Sequence, residues 1–165
     1  HHGLGLCPAG AIGSAVTATP VLTGGCQCGA VRYALYSQPE GGFCHCRMCQ
    51  RATGGAFAAL TCLPKADFAW TTGEPKAFAS SNIATRAFCA DCGTPLTFTY
   101  NTGAYTNVTV GSLDEPERAN VTMHHGVESR LSWLRLADSW PEERTGDCGD
   151  RTDELATMRN NQEQA

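Results

Sequence analysis

The sequence has little charge, no long apolar run and no excess of basic residues. Only 17% of its 165 residues are charged, and its net charge is −4 with a pI of about 5.7. Its longest apolar runs, such as Ala56–Leu60, are far too short to span a bilayer. An acidic chain is not typical of proteins that bind nucleic acid non-specifically or that bind a membrane surface through a basic patch. We therefore expect no nucleic-acid partner and no membrane association.

The sequence also lacks internal repeats and a glycine-rich nucleotide-binding loop. Its length suits one domain with a hydrophobic core. Residues 1–20 are rich in Gly, Ala and Thr, which is typical of a flexible N-terminal arm or of sequence added for expression. Residues 21–141 carry the strand patterns, whereas residues 142–165 are polar and poor in large apolar side chains. We therefore predict one folded domain over 21–141 and a polar C-terminal tail.

Alternating apolar and polar residues predict short strands in most of this domain. One helical turn is predicted over 47–53, which Gly54 and Gly55 end. Residues 132–136 suit a short helix or a strand, and residues 153–159 suit a marginal helix. The pattern therefore predicts a mainly β fold with few short helices. The predicted strands cover residues 30–36, 56–63, 68–70, 76–80, 96–100, 107–110 and 120–124.

Cysteine, in contrast, is abundant, at ten residues. Disulfide-rich domains are usually short and secreted, and we find no signal-peptide pattern in this sequence. A Cys-x-Cys pair such as Cys26 and Cys28 is poorly placed to form a disulfide but well placed to chelate one metal ion. We therefore expect a reducing, cytoplasmic compartment. Cys62, alone in an apolar run, is predicted to be a small core residue.

Two cysteine pairs that lie far apart in the sequence together supply four thiolates. They are Cys26-x-Cys28 and Cys89-x-x-Cys92, each followed by glycine. Four thiolates form a complete tetrahedral set for a structural zinc ion, whose binding contributes directly to folding. Two disulfides or four free thiols are the alternative interpretations.

A third group of cysteines has no obvious fourth partner. Cys44, Cys46 and Cys49 lie within six residues, and three zinc ligands with an open position are typical of a reactive metal site. The alternative is a second structural zinc, completed by His45, by His124 or by Cys62. Thiolate sets of this kind also hold iron, so the choice of zinc is an inference.

Charge suggests what the open position would accept. Zinc with three thiolates carries about one net negative charge, which makes it a weak activator of water but a reasonable site for an incoming thiol. Arg47 and Arg51 flank the cysteines and could offset that charge or hold a carboxylate. Solvated surface arginines are the alternative interpretation. His45 lies between two metal ligands, so its ring is expected to point away from the metal.

Four motifs, in order, resemble the glutathione-dependent formaldehyde-activating enzymes, which are grouped with the centromere protein V-like domains. The resemblance covers roughly residues 22–141 and includes Gly24–Tyr33, Cys44–Gly54, Phe88–Leu96 and Gly111–Asp114. His124, Ser129, Arg130 and Trp133 also fit in order. The sequence departs from the family pattern at three positions. Gln50 stands where the family often has a basic residue, His125 where it usually has an apolar residue, and Ser132 where it usually has proline.

The resemblance implies an Mss4-like fold of twisted antiparallel β-sheets with zinc knuckles. It implies a structural zinc on Cys26, Cys28, Cys89 and Cys92, and a second zinc on Cys44, Cys46 and Cys49 that takes part in thiol chemistry.

It also implies a carbon–sulfur lyase that joins glutathione and formaldehyde into S-hydroxymethylglutathione, or acts on a related aldehyde or thioether adduct. We therefore expect a small thiol such as glutathione and a small carbonyl or thioether as partners. We also expect Cys44, Cys46 and Cys49 as the catalytic residues, and His45, Arg47, Arg51 and His124 as substrate-binding residues. His45, His124 or solvent would transfer the proton.

Two other functions are compatible with the cysteine pattern. One is a non-catalytic interaction module in which both zinc ions are structural. The other is methionine-sulfoxide reduction, which shares this fold type. That activity normally uses one zinc held by two Cys-x-x-Cys pairs and a separate catalytic cysteine, and the Cys26-x-Cys28 spacing disfavours it.

Overall fold

The computed structural model describes residues 19–147 and 149–159. Most of the predicted N-terminal arm, including Cys7, lies outside these ranges, as does Cys148. The strands are β1 Leu22–Gly25, β2 Arg32–Leu35, β3 Glu40–Cys44, β4 Ala58–Pro64, β5 Phe68–Thr72, β6 Lys76–Ala79, β7 Ala84–Phe88, β8 Pro95–Tyr100, β9 Tyr105–Thr109, β10 Asn120–His125 and β11 Glu142–Glu143. The α-helices are α1 Arg47–Thr53 and α2 Thr152–Ala156.

The strands form two sheets, which confirms the prediction of a mainly β fold with few short helices. The smaller sheet has the order β1-β2-β5 and is antiparallel. The larger sheet has eight strands in the order β11-β10-β3-β4-β9-β8-β7-β6. It is mixed rather than wholly antiparallel, because β10 runs parallel to both β3 and β11.

The main hydrophobic core joins residues of both sheets. Leu22 and Leu35 come from the smaller sheet, and Leu63, Leu96 and Val108 come from the larger one; all five are at most 2% exposed. Burying side chains of this size contributes about 1.5–3 kcal/mol each relative to leaving them exposed. This core holds the two sheets together and so positions the loops that carry the cysteines.

The structure corrects part of the prediction that Cys62 is a lone core residue. It is buried in β4, 4% exposed, and it is disulfide-bonded. Its sulfur is therefore not available as a fourth ligand for the other cysteines. A single-residue pattern could not show this, because a disulfide depends on a partner that folding brings close.

The polar C-terminal segment packs on the domain where it is described. The Pro141 carbonyl accepts a hydrogen bond of 2.9 Å from the His124 amide, next to the β10–β11 pairing. Further along, the Asn82 amide donates to the Arg159 carbonyl at 3.1 Å, and the Arg151 guanidinium stacks 4.0 Å from the Tyr100 ring centroid. No helix in the described ranges is long and apolar enough to cross a membrane.

Candidate metal centres

Two turns bring the first set of cysteines together. Cys26 and Cys28 follow β1, and Cys89 and Cys92 lie between β7 and β8. Their four sulfur atoms all lie within 4.8 Å of one another, and we call this set the closed cluster. It joins the smaller sheet to the larger one.

Glycine makes both turns of the closed cluster tight. Gly29 and Gly93 have φ angles of 80° and 76°, a region that side-chain-bearing residues rarely adopt. The Gly29 amide donates to the Cys26 carbonyl at 3.1 Å, and the Gly93 amide donates to the Cys89 carbonyl at 2.9 Å. These bonds fix the spacing of the cysteines within each turn.

Hydrogen-bond donors point at the sulfurs of the closed cluster. The Val31 amide donates to Cys26 Sγ at 3.3 Å. The Thr94 hydroxyl lies 3.3 Å from Cys92 Sγ, and this hydrogen bond, together with those from the Thr94 backbone and Cys28, lowers the pKa of Cys92 to about 5. The environment thus favours thiolate at Cys92, which is the form that binds metal.

The sulfur spacing of the closed cluster fits a tetrahedral zinc ion. Zinc–sulfur bonds of about 2.3 Å at tetrahedral angles place sulfurs about 3.8 Å apart. Cys28 Sγ lies 3.5 Å from Cys26 Sγ and 3.7 Å from Cys89 Sγ. The four residues could therefore hold one metal ion with no further ligand.

The second set of cysteines is organised around the start of α1. Cys44 ends β3, Cys46 caps the helix by accepting the Cys49 amide on its sulfur at 3.4 Å, and Cys49 follows in the first turn. Their sulfurs also lie within 4.8 Å of one another. We call these three residues the open cluster, because no fourth His, Cys, Asp or Glu joins them among the described residues.

Gly126 lets β10 pass close to the open cluster. Its φ angle is 62°, and a Cβ atom there would lie 2.8 Å from the Cys46 nitrogen and 2.9 Å from the Cys46 Cβ. The parallel pairing of His125 with Cys44 places this glycine against the cysteine loop. The position therefore requires glycine for both its backbone conformation and its space.

Arg86 supplies a positive charge at the open cluster. Its Nη2 lies 3.3 Å from Cys49 Sγ, and its guanidinium stacks 4.6 Å from the Phe98 ring centroid. The pKa of Cys49 lies well below its usual value because Cys44 and Cys46 hydrogen-bond to its sulfur, with Arg86 adding to the effect. Arg86 thus places a positive charge beside the sulfur of Cys49.

The open cluster faces a cavity of about 100 Å³. Strands β7, β8 and β9 form one wall, and the end of β10 forms another. The C-terminal segment covers part of the cavity with Arg151, Leu155 and Met158. The polar and aromatic side chains at its walls include Arg86, Phe98, Tyr100, Tyr105, Asn107 and His125.

The two predicted histidines lie beside the cysteine loop but do not line this cavity. His45 Nε2 lies 2.9 Å from His124 Nδ1, and His124 Nε2 lies 2.9 Å from Asp138 Oδ1. Both rings are buried, and burial lowers the pKa of His45 to about 4. The His45 ring contacts the rings of His124 and Phe57.

The two predicted arginines also lie away from the cavity wall. Arg47 donates to Gln50 Oε1 at 3.0 Å, and Gln50 in turn donates to the His45 carbonyl at 2.8 Å. Arg51 lines a second depression with Lys76 and Phe78, and it does not line the cavity, although Arg86 and Phe98 line both. The structure thus brings the three cysteines together at the cavity, without His45, His124, Arg47 or Arg51.

The cavity contains residues that sequence reasoning missed. Arg86, Asn107 and Arg151 carry no local motif, and only the pairing of strands and the return of the C-terminal segment bring them to the cysteines. The sequence does offer one indication for His125, because the family usually has an apolar residue at this position. It lines the cavity, and its Nδ1 lies 2.8 Å from Glu143 Oε2.

Comparison with known proteins identifies the family of the chain through one family model. The family model described as glutathione-dependent formaldehyde-activating enzyme matches residues 21–129. An uncharacterized lyase of Schizosaccharomyces pombe is 35% identical over 85 residues, which are 51% of this chain and 61% of the relative's length. A crystal structure of a Rhodobacter sphaeroides protein has a TM-score of 0.42 and 19% identity, covering 73% of this chain and 98% of that one. The chain belongs to the glutathione-dependent formaldehyde-activating enzyme family.

Proposed function

We propose that this protein is a zinc-dependent lyase-type enzyme that makes or breaks the carbon–sulfur bond between a small thiol and a small aldehyde. Glutathione and formaldehyde, which give S-hydroxymethylglutathione, are the leading pair, as the family name suggests. The observation that carries the proposal is that Cys44, Cys46 and Cys49 open onto a cavity with no fourth ligand among the described residues.

The proposed reaction is an addition without oxidation or reduction. The thiol loses its proton to solvent, and its sulfur bonds to the carbonyl carbon. The carbonyl π electrons move to oxygen, which takes up a proton and becomes a hydroxyl group. The reverse reaction breaks the carbon–sulfur bond and restores thiol and aldehyde.

The residues of the two clusters would have different roles. Cys26, Cys28, Cys89 and Cys92 would hold a structural zinc, and Cys44, Cys46 and Cys49 would hold a second one. A zinc ion at the second site would supply a coordination position that favours thiolate over thiol. Arg86 offsets negative charge at Cys49, so that an anionic thiolate can approach the cluster.

The cavity size supports binding of the reacting end of the adduct. Pockets that enclose a drug-sized molecule measure about 300–1,000 Å³, compared with about 100 Å³ here. The thiol sulfur and the aldehyde carbon and oxygen fit such a space, and the remainder of glutathione would lie at its mouth. Leu155 and Met158 place apolar side chains at the cavity wall beside the reacting atoms.

An exchange measurement tests the proposal. ¹³C-formaldehyde and glutathione are mixed at equilibrium, and NMR exchange spectroscopy measures adduct formation with and without the protein, alongside a panel of larger aldehydes. We expect the protein to accelerate exchange for formaldehyde or another small aldehyde, and chelator treatment to remove the acceleration. Background rates for every aldehyde, with two equally tight metal ions unaffected by millimolar glutathione, would instead support a non-catalytic zinc module.

A further inference from the structure

Residues 151–159, which we call the lid, form part of the wall of the cavity at the open cluster. Arg151, Leu155 and Met158 line this cavity together with the three cysteines. The lid lies beyond residues 21–129, the range that the family model matches. Its place at the cavity is therefore a feature of this chain that the family match does not describe.

The lid contributes little to the hydrophobic core. None of its residues is buried, and its short helix α2 has no buried side chain. The residues of the main core, and those packed against it, all lie within 21–119. Segments with few buried apolar contacts open locally at a smaller free-energy cost than the whole fold. The lid thus has the properties of a segment that opens while the sheets stay folded.

Arg151 fastens the start of the lid to the turn between β8 and β9. Its guanidinium lies 4.0 Å from the Tyr100 ring centroid, and its Nη2 donates to the Thr102 carbonyl at 2.9 Å. Within the lid, its Nη1 lies 2.6 Å from Glu154 Oε2. Gly103 leaves room for this side chain, because a Cβ atom there would lie 2.5 Å from Arg151 Nη2.

The end of the lid is attached to the turn between β6 and β7. The Asn82 amide donates to the Arg159 carbonyl at 3.1 Å, and the Arg159 amide donates to the side-chain oxygen of Asn82. Leu155 and Met158 lie between this attachment and the one at Arg151. The lid is therefore held at both ends, and its apolar side chains lie at the cavity between them.

Access to the cysteines through this cavity requires an opening. Cys44 and Cys49 are only 7% and 3% exposed, and the cavity measures about 100 Å³. Pockets that hold drug-sized molecules measure about 300–1,000 Å³, so a molecule of that size enters only after part of the wall has moved. Strands β7, β8 and β9 are paired within the larger sheet, whereas the lid lies outside both sheets.

We propose that the lid opens independently of the folded domain and controls access from solvent to the open cluster, with the contacts of Arg151 keeping it closed. The inference concerns access to the cysteines and does not depend on the reaction proposed above. In the closed arrangement, Leu155 and Met158 cover the cavity. When Arg151 leaves Tyr100 and Thr102, the start of the lid is released and the cavity opens to solvent.

Two measurements on the zinc-loaded protein test the lid. Hydrogen exchange, followed by mass spectrometry, reports the opening of residues 151–159. Alkylation by N-ethylmaleimide, followed by peptide mapping, reports access to each cysteine cluster. We expect the lid to exchange before strands β8 and β9. Arg151→Ala should raise both the exchange rate of the lid and the alkylation rate of the open cluster about 10-fold, the scale for losing a cation–π contact and a hydrogen bond.

Arg118→Ala is the matched control for Arg151→Ala. Arg118 lies 2.8 Å from Glu115, three residues away, much as Arg151 contacts Glu154, but it does not line the cavity. Its removal should leave both rates at their wild-type values. The closed cluster is an internal reference, because a general loss of stability would accelerate alkylation at both clusters, whereas opening of the lid accelerates it only at the open cluster.

Hydrogen exchange in the lid that is no faster than in β8 and β9 would refute independent opening. An unchanged alkylation rate at the open cluster of Arg151→Ala, or an equal increase at both clusters, would refute the control of access. Neither measurement depends on the exchange of glutathione with formaldehyde. A failure of the lid therefore leaves the proposed function intact, and a failure of the proposed function leaves the lid.

Discussion

At the scale of single residues, the open cluster depends on contacts that its own motif does not contain. Arg86 contacts Cys49 from another strand, and Gly126 allows β10 to approach Cys46. Both residues act on the cysteines through a direct contact, so substitutions there should change the site rather than the whole fold.

Replacing Arg86 by glutamine should slow the exchange of glutathione and formaldehyde. The change removes the cation 3.3 Å from Cys49 Sγ and leaves the negative charge of the cluster without compensation. We expect a roughly 100- to 1,000-fold loss, which is the scale for removing one preorganised polar contact from an active site. Arg86→Lys retains the charge and should recover part of the rate. An unchanged rate in Arg86→Gln, with metal content intact, would exclude this role.

Replacing Gly126 by alanine should disrupt the open cluster more than replacing Gly54 by alanine. The added Cβ meets the Cys46 backbone at 2.8 Å, and φ at Gly126 is 62°. Gly54→Ala is the matched control, because φ there is 72° but nothing lies within 4 Å of the added atom.

Both variants carry the backbone cost of about 1–2 kcal/mol for a left-handed residue. Only Gly126→Ala should also lower the affinity of the second metal site, measured by competition with a chromogenic chelator. Equal metal affinities in the two variants would show that the close approach to Cys46 has no influence on the cluster.

At the scale of elements, the short strand β11 holds the end of β10 against the cavity. Glu143 Oε2 lies 2.8 Å from His125 Nδ1, with side-chain exposures of 11% and 5%. The neighbouring Glu142 contacts Arg130 at 2.7 Å but is 49% exposed. Two adjacent glutamates thus make contacts of similar length in different environments.

Alanine at Glu143 should therefore cost more stability than alanine at Glu142. Loss of Glu143 leaves a buried ring nitrogen of His125 without its partner, which costs about 1–3 kcal/mol. Exposed ion pairs contribute about 0–1 kcal/mol, so Glu142→Ala should have a small effect. Urea unfolding of the metal-loaded proteins measures both. Equal losses would mean that the β10–β11 contact does not depend on the buried pair.

The sequence predicted the local features of these elements better than their pairing. A continuous apolar run located β4, and alternation located β8 and β9. The cysteine spacing identified both clusters. Each of these signals lies within a few neighbouring residues. The parallel pairing of β10 with β3 depends on the register between strands that are distant in the sequence. So does the side-by-side placement of Arg86, Phe98 and Asn107 on β7, β8 and β9. Arg47 and Arg51 are predicted at the site because they lie next to the cysteines in the sequence. In the structure, Arg86 lines the cavity of the open cluster instead.

At the scale of the whole molecule, the two clusters differ in the number of their sulfur ligands and in their position. The closed cluster joins the two sheets and has a complete set of four sulfurs, so a metal ion there would stabilise the fold. The open cluster lies at a cavity and has three sulfurs. Removing a ligand should therefore have different consequences at the two sites.

The most direct test of this account is the exchange rate of glutathione and ¹³C-formaldehyde in Cys46→Ser, with metal content and thermal unfolding measured on the same sample. Cys28→Ser is the matched control, expected to lose the structural metal and unfold at a much lower temperature. We predict that Cys46→Ser remains folded, keeps one tightly bound metal ion and exchanges the adduct at the background rate. A folded Cys46→Ser that retains the wild-type exchange rate would contradict the central claim.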